Sequence, residues 1–133
     1  MRLTQQSDLV EVRRAAHRGR GARGVYARVD IAQGTLIERA PVLLIPRSQV
    51  IGPHASAKLS WYVFEWTATK RPYAALALGY GSIYNHSKTP NATYQFEAPD
   101  VIEFVATRPI QADEEIFIAY HGEGAELGFD AYD

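Results

Sequence analysis

Polar, turn-forming residues interrupt an apolar part of the chain at residues 81–94, GSIYNHSKTPNATY. Asn85, His86 and Ser87 stand together, and Pro90-Asn91 follows shortly after. A Ser-His-Asp arrangement can be drawn through Ser87 and His86, but no Gly-x-Ser-x-Gly turn supports a serine nucleophile. Since apolar runs lie on both sides, the segment is either an ordinary loop or the floor of a ligand site.

Tyrosines accompany this segment and lie in or beside apolar runs: Tyr62, Tyr84, Tyr94 and Tyr120. In the last predicted strand Ile116, Ile118 and Tyr120 share one face. A tyrosine that ends such a face is usually a core residue whose hydroxyl has a hydrogen-bond partner. The pattern alone therefore leaves both a core role and a catalytic role open for Tyr120.

The other polar candidates favour ordinary structure. The four histidines are scattered without metal-ligand spacing, and a chain without cysteine has no thiolate zinc site. Asp113, Glu114 and Glu115 lie in a turn before a strand, which predicts solvated charges rather than acid–base groups. The glycines of residues 19–24, GRGARG, precede a strand, whereas a dinucleotide- or phosphate-binding loop follows one. Arginine interleaved with glycine leaves a nucleic-acid contact open there.

The length of 133 residues predicts one domain over residues 1–133. No run of about 18 apolar residues indicates a membrane span, and the start lacks the apolar region of a signal peptide. We therefore expect a cytoplasmic protein without a membrane partner.

Charge is unevenly distributed along the chain. Residues 1–50 hold nine arginines and four acids (net +5), whereas residues 51–90 hold four basic groups and one acid (net +3). Residues 91–133 hold one arginine and ten acids (net −9). These charges are either solvated faces or, at the acidic end, a surface that attracts a cationic substrate.

Short β-type segments must position these residues, and together they favour a mainly β domain. The predicted strands are residues 24–31, 35–46 with a break at Pro41, 59–66, 91–98, 101–108 and 116–120. The turn at Pro99-Asp100 predicts a hairpin. Residues 1–18 predict a flexible or helical lead-in, and residues 73–79 fit a short strand or a helix equally.

Three segments combine into a known pattern: GARGVYA at residues 21–27, YNHSKTPNATY at 84–94 and ADEEIFIAY at 112–120. In this order they resemble the SET-domain protein-lysine methyltransferases, and the resemblance covers about residues 19–121. It implies a β-clip-like SET fold of short curved sheets with few short helices. In that fold the C-terminal segment threads under a loop to form a pseudoknot, which periodicity does not predict.

The resemblance also implies a cofactor site for S-adenosylmethionine, with S-adenosylhomocysteine as product and no metal. Asn85 would hydrogen-bond the amino-acid end of the cofactor, and His86 would contact the adenine largely through its backbone. Pro90-Asn91 would fix the turn that lets the C-terminal strand pass. Main-chain contacts would come from the opposite side, from Arg23, Gly24 and Val25.

Tyr120 matches the active-site tyrosine of the family. Tyr94, Ile118 and, more weakly, Tyr62 would line the lysine channel. The chemistry requires a neutral amine aligned with the methyl group, although only about one lysine in a few thousand is neutral at pH 7. An aromatic channel lowers the lysine pKa by desolvation and suits the cationic methylated product.

This sequence departs from the family pattern in three places. Ala22 replaces the first glycine of the loop, and Ile118 stands where Phe or Tyr is frequent. No cysteine cluster follows Tyr120, so the tail at residues 122–133, with Phe129 and Tyr132, would either close the channel or leave it open. We expect a basic, lysine-containing protein substrate, such as a histone or a DNA-associated protein, which would make the enzyme nuclear or nucleoid-associated. The alternative is a SET fold that binds peptide or nucleic acid without turnover.

Overall fold

The computed structural model describes residues 7–15, 22–50, 58–68 and 73–120, and strands dominate this part of the chain. The strands are β1 Val10–Arg14, β2 Arg23–Ala27, β3 Leu36–Pro46, β4 Val63–Trp66, β5 Tyr73–Ala77, β6 Asn85–His86, β7 Ala92–Glu97, β8 Val101–Ala106 and β9 Glu115–Ile118. Short 3₁₀ turns at Arg47–Gln49 and Leu59–Trp61 are the helical elements of the described residues. None of the described helices is long and apolar enough to cross a membrane.

The strands form two sheets, with the orders β1-β2-β9-β6 and β4-β5-β3-β8-β7. The second sheet contains the predicted hairpin, in which β7 and β8 pair antiparallel. Residues 73–79, which the sequence left between strand and helix, begin with β5. The sheets enclose one main core, in which the rings of Phe64, Tyr94 and Phe104 meet edge to face or tilted.

β3 is one strand of 11 residues, so the predicted break at Pro41 was wrong. The strand changes partner at this point, pairing with β8 up to Pro41 and with β5 from Val42 onward. Proline has no N–H to give to a ladder but retains its carbonyl. The carbonyl of Pro41 accepts the N–H of Leu78 at 2.9 Å, which lets the strand continue through the proline.

Two predictions near the N-terminus were also wrong. Residues 10–14 form β1, which pairs with β2 in full register, where a flexible or helical lead-in was expected. β2 ends at Ala27 instead of continuing to Ile31, and Val29 is 45% exposed rather than on a buried face. The chain turns because Arg28 N donates to the Leu9 carbonyl and the Ala27 carbonyl accepts from Asp113 N, each at 2.8 Å.

The C-terminal strand β9 lies between two strands that are distant in sequence. It pairs antiparallel with β2 and parallel with β6. Asn91 holds it from the side, because its Nδ2 donates to Glu115 O at 2.9 Å and its Oδ1 accepts from Phe117 N at 2.8 Å. This enclosed strand and the curled sheets confirm the predicted fold class.

Ion pairs join arginines of the first 50 residues to acids of the last third. Arg39 bridges Glu97 and Glu103, and Arg13 reaches Asp113 at 2.8 Å. The opposite charges at the two ends of the sequence are therefore partly paired in the fold. For these acids, the contacts favour paired surface charges over a surface that attracts substrate.

Candidate active site

The side chain of Asn85 joins three segments of the chain at the end of β6. Its Nδ2 donates to the Arg23 carbonyl at 2.7 Å and to Oε2 of Glu115 at 2.8 Å. Both partners only accept hydrogen bonds, which fixes the orientation of the amide. Both N–H groups of the Asn85 amide are used in these two bonds, and its carbonyl oxygen is a hydrogen-bond acceptor.

Gly24 leaves the space that the Glu115 carboxylate occupies. A Cβ built at Gly24 would collide with Oε2 of Glu115 and would lie 3.0 Å from Nδ2 of Asn85. At this position of β2, glycine is therefore the residue that fits without displacing these two side chains. We name Arg23, Gly24, Asn85 and Glu115 the amide end of the site.

Glu115 also contacts Tyr26, which lies opposite it in the β2–β9 pair. Desolvation by burial and the hydrogen bond to this carboxylate raise the pKa of the Tyr26 hydroxyl. The guanidinium of Arg13 lies over the Tyr26 ring, 5.3 Å from its centroid. The prediction that Glu115 is a solvated turn charge was therefore wrong, because its carboxylate holds Asn85.

Ala22 occupies a position for which its side chain is poorly suited. Its φ is +55°, in the left-handed region where a Cβ costs about 1–2 kcal/mol. The resemblance placed a glycine at this point of the loop, and the backbone retains the conformation that glycine favours. At Ala22 the backbone is therefore left-handed although alanine stands there.

Tyr120 is buried, and three polar contacts hold it. Its hydroxyl donates to the Tyr84 carbonyl at 2.9 Å, and its N–H donates to Nδ1 of His86 at 3.1 Å. Its carbonyl accepts from the Tyr94 hydroxyl at 3.3 Å. We name Tyr84, His86, Tyr94 and Tyr120 the tyrosine end of the site. Asn85 and His86 are adjacent in β6, so the two ends are continuous.

The imidazole of His86 belongs to the tyrosine end. Its ring centroid lies 5.1 Å from that of Tyr120. Because Nδ1 accepts a hydrogen bond, the proton of the neutral ring is on Nε2. The imidazole is thereby held against Tyr120, at the tyrosine end of the site.

The remaining predicted site residues are Val25, Ile118 and Tyr62. Val25 and Ile118 are buried in the main core, and Ile118 pairs with His86 across β6 and β9. Tyr62 is half-buried, and its carbonyl accepts from the Ser82 hydroxyl at 2.7 Å. The tail that would close the channel or leave it open, residues 122–133 with Phe129 and Tyr132, falls outside the described residues.

The chain matches the sequence model of the SET domain over residues 22–121. The chain belongs to the SET-domain family. This match covers the amide end, the tyrosine end and every strand from β2 to β9.

Relatives of this SET domain have related names. It is 31% identical over 121 residues to a Schizosaccharomyces pombe protein named histone-lysine N-methyltransferase, H3 lysine-37 specific, covering 90% of this chain and 78% of the relative. The crystal structure of a candidate histone methyltransferase from Plasmodium falciparum aligns with a TM-score of 0.68 and 27% identity, covering 90% and 96% of the two chains.

A more distant structure shows the fold alone. It is a chain of ctPRC2, solved in an autoinhibited conformation with S-adenosylmethionine bound, at a TM-score of 0.71 and 19% identity. It matches 91% of this chain but only 16% of its own length. With the family established, the prediction of an S-adenosylmethionine-dependent protein-lysine methyltransferase is confirmed.

The amide end fits the amino-acid part of this cofactor. An ammonium group requires acceptors, and the carbonyl oxygen of Asn85 is an acceptor whose position the Arg23 carbonyl and Glu115 fix. When bound, S-adenosylmethionine supplies an electrophilic methyl group on sulfur. No three metal-ligating side chains gather within the described part of the chain.

The tyrosine end fixes the direction of one hydroxyl. Tyr120 is buried, and its hydroxyl donates its proton to the Tyr84 carbonyl at 2.9 Å. Since a phenolic oxygen is also an acceptor, a hydroxyl held in this way has the chemistry to direct the hydrogens of an amine.

Proposed function

We propose that this enzyme methylates a lysine of a histone or of another basic, DNA-associated protein, and that it acts in the nucleus or at the nucleoid. The observation that carries the proposal is the 31% identity to the S. pombe protein, which is named for lysine 37 of histone H3. That alignment spans 90% of the chain.

Residue roles form part of the same proposal. Tyr120 aligns the amine, Asn85 and His86 with the main chain of Arg23–Val25 hold the cofactor, and Tyr94, Tyr62 and Ile118 line the lysine channel. The contacts of Tyr120 with Tyr84, His86 and Tyr94 support this division. Ile118 is smaller than the aromatic residue frequent at its position, so we expect the channel to accept an amine that already carries a methyl group.

Incubation with labelled S-adenosylmethionine and separate basic proteins tests the proposal. The panel contains each core histone, a bacterial nucleoid protein and lysine-rich non-DNA-binding proteins, followed by mass spectrometry of labelled products. We expect labelled lysine in a histone or nucleoid protein, with more than one methyl at the site after long incubation. Labelling restricted to proteins that do not bind DNA contradicts the substrate class, and a product that stays monomethylated contradicts the wide channel.

The same experiment tests the alternative, a SET fold that binds peptide or nucleic acid without turnover. The arginine-rich start of the chain keeps a nucleic-acid contact open, and residues 16–21 of that segment lie outside the described part. A chain that binds S-adenosylhomocysteine but labels no protein, and instead retains DNA or peptide, would support the binding module.

A further inference from the structure

A buried carboxylate lies behind the tyrosine end, on the neighbouring sheet. Glu38 of β3 is 4% exposed, and its partners are the Tyr84 hydroxyl at 2.7 Å and the Tyr80 N–H at 3.0 Å. Both donors are neutral, although a buried carboxylate is usually compensated by a cation or several hydrogen bonds. A residue so costly to bury in the core indicates a role beyond packing.

The backbone is shaped closely around this carboxylate. Gly79 has a φ of +61°, and a Cβ there would lie 2.7 Å from Oε2 of Glu38. The turn after β5 therefore passes over the acid and presents the Tyr80 N–H to it. Glu38 thus anchors the segment that leads directly into Tyr84 and the site.

Tyr84 connects this acid to the active-site tyrosine. Its side chain is fully buried, and its ring stacks on Phe104 with a centroid distance of 4.5 Å and an interplanar angle of 24°. Its hydroxyl is held by Glu38, while its own carbonyl accepts the hydroxyl of Tyr120 at 2.9 Å. The position of that carbonyl therefore depends on how firmly the Tyr84 ring is held.

We propose that Glu38 is a positioning residue for methyl transfer: by holding the Tyr84 hydroxyl, it fixes the carbonyl that orients the Tyr120 hydroxyl. This inference rests on the proposed role of Tyr120. The alignment of reacting groups is sensitive to small displacements, since a misplacement of about 1 Å can cost 10²-fold in rate. Glu38 touches neither cofactor nor substrate in this scheme and acts only through Tyr84 and Tyr120.

The variant Tyr84→Phe tests the inference, because it removes the hydroxyl that Glu38 holds and retains the ring that stacks on Phe104. We expect the single-turnover rate on a core-histone mixture to fall about 5–30-fold, while the affinity for S-adenosylhomocysteine and the KM for histone stay within about twofold. In a Tyr120→Phe background the same change should alter the rate less than about twofold, because the group it positions is already gone.

Matched variants distinguish positioning from a general loss of stability. Ile102→Val removes one methylene from the same core and should lower the single-turnover rate only slightly. In the double variant its fold-change in rate should multiply with that of Tyr120→Phe. Glu38→Gln, whose amide oxygen can still accept from Tyr84, should retain more of the rate than Glu38→Leu. If Tyr84→Phe is no slower than Ile102→Val, or if its loss multiplies in full with that of Tyr120→Phe, the inference is overturned.

Crystal structures of the variants give a reading that requires no substrate. We expect the Tyr120 hydroxyl to leave hydrogen-bonding distance of the residue-84 carbonyl in Tyr84→Phe and to keep it in Ile102→Val; an unchanged distance in both contradicts the inference. If Tyr120→Phe lowers the single-turnover rate and Tyr84→Phe does not, only the positioning role of Glu38 is overturned. A Tyr120→Phe variant of near-native rate instead overturns the proposed role of Tyr120 and, with it, this route.

Discussion

The amide end and the tyrosine end are adjacent along β6 but are held in different ways. At the amide end a side chain, Asn85, is fixed by a backbone carbonyl and by the carboxylate of Glu115. At the tyrosine end the Tyr120 hydroxyl donates to a backbone carbonyl, and the imidazole of His86 accepts a backbone N–H. The first arrangement presents a fixed acceptor to a ligand, whereas the second fixes the direction of a hydroxyl. We therefore expect changes at the amide end to alter affinity and changes at the tyrosine end to alter rate.

Removal of the Tyr120 hydroxyl should give the largest effect. Tyr120→Phe keeps the ring, so cofactor affinity should stay within a few-fold while turnover falls about a hundred- to a thousand-fold, as for the loss of one preorganised polar group. Single-turnover rates, calorimetry with S-adenosylhomocysteine and melting temperature measured together decide the outcome. A variant that melts several degrees lower but methylates at near-native rate would return Tyr120 to a core role.

Asn85→Ala should produce the complementary result at the amide end. A hydrogen bond to a charged group contributes about 1.5–3 kcal/mol, so the affinity for S-adenosylhomocysteine should fall roughly 10- to 100-fold. Asn85→Asp should lower the affinity at least as much, because a carboxylate has no N–H to donate to Glu115 and to the Arg23 carbonyl. Calorimetry measures both, and an Asn85→Ala variant with native affinity but slow turnover would reverse the division between the two ends.

A methyl group at Gly24 should act through Glu115. Overpacking costs about 1–3 kcal/mol, and in Gly24→Ala the carboxylate must leave the place from which it holds Asn85. We expect cofactor affinity to fall about tenfold. Gly34→Ala is the matched control, since its φ of +84° makes alanine strained but no atom lies within 4 Å of the added carbon. Equal losses of affinity in the two variants would mean that general destabilisation, not Glu115, is the cause.

Ala22→Gly should be stabilising. Relief of the left-handed alanine gains about 1–2 kcal/mol, and the greater freedom of glycine in the unfolded chain offsets about 0.4–1 kcal/mol of it. We expect a melting temperature higher by a few degrees and an affinity for the cofactor changed by less than twofold. A lower melting temperature would show that the Ala22 methyl group makes contacts worth more than the strain.

The smallest expected effect concerns the pH dependence of stability. Burial raises the pKa of Glu38, so above the unfolded value of 4.5 the unfolded chain releases the proton more readily than the folded one. The melting temperature of the native protein relative to Glu38→Gln should therefore be highest below pH 4.5 and decrease as pH rises through the raised pKa. Arg39 lowers the pKa of Glu97, so the comparison with Glu97→Gln should slope the opposite way. If the difference in melting temperature between native protein and variant does not change with pH in either comparison, the directions assigned to the two pKa shifts are contradicted.

The parts of the fold that sequence predicted are those with local patterns. The β7–β8 hairpin follows from alternating side chains on both sides of Pro99. The motifs singled out Asn85, which the structure places beside β9, and Tyr120, which follows that strand. The contacts that hold them are not local, since Glu38 and Tyr84 are 46 residues apart and Asn85 and Glu115 are 30 apart. Neither periodicity nor residue type distinguishes Glu115, which holds Asn85, from Asp113, which forms an exposed ion pair. The wrong prediction of a break at Pro41 has the same origin. β3 continues past Pro41 because it pairs with β5 there in place of β8, and that change of partner is not a local pattern.

The position of β9 between β2 and β6 has a consequence for biogenesis. Synthesis proceeds from the N-terminus, so β2 and β6 emerge from the ribosome well before the strand that pairs with both. Until residues 115–118 are available, each of these strands presents an unpaired edge, and neither Asn85 nor the Tyr84 carbonyl has its C-terminal partner. Pairing between segments so distant in sequence is slow. We therefore expect nascent chains, and chains truncated before β9, to be exposed to aggregation and, under the proposed role of Tyr120, to lack methylation activity until this strand has been inserted.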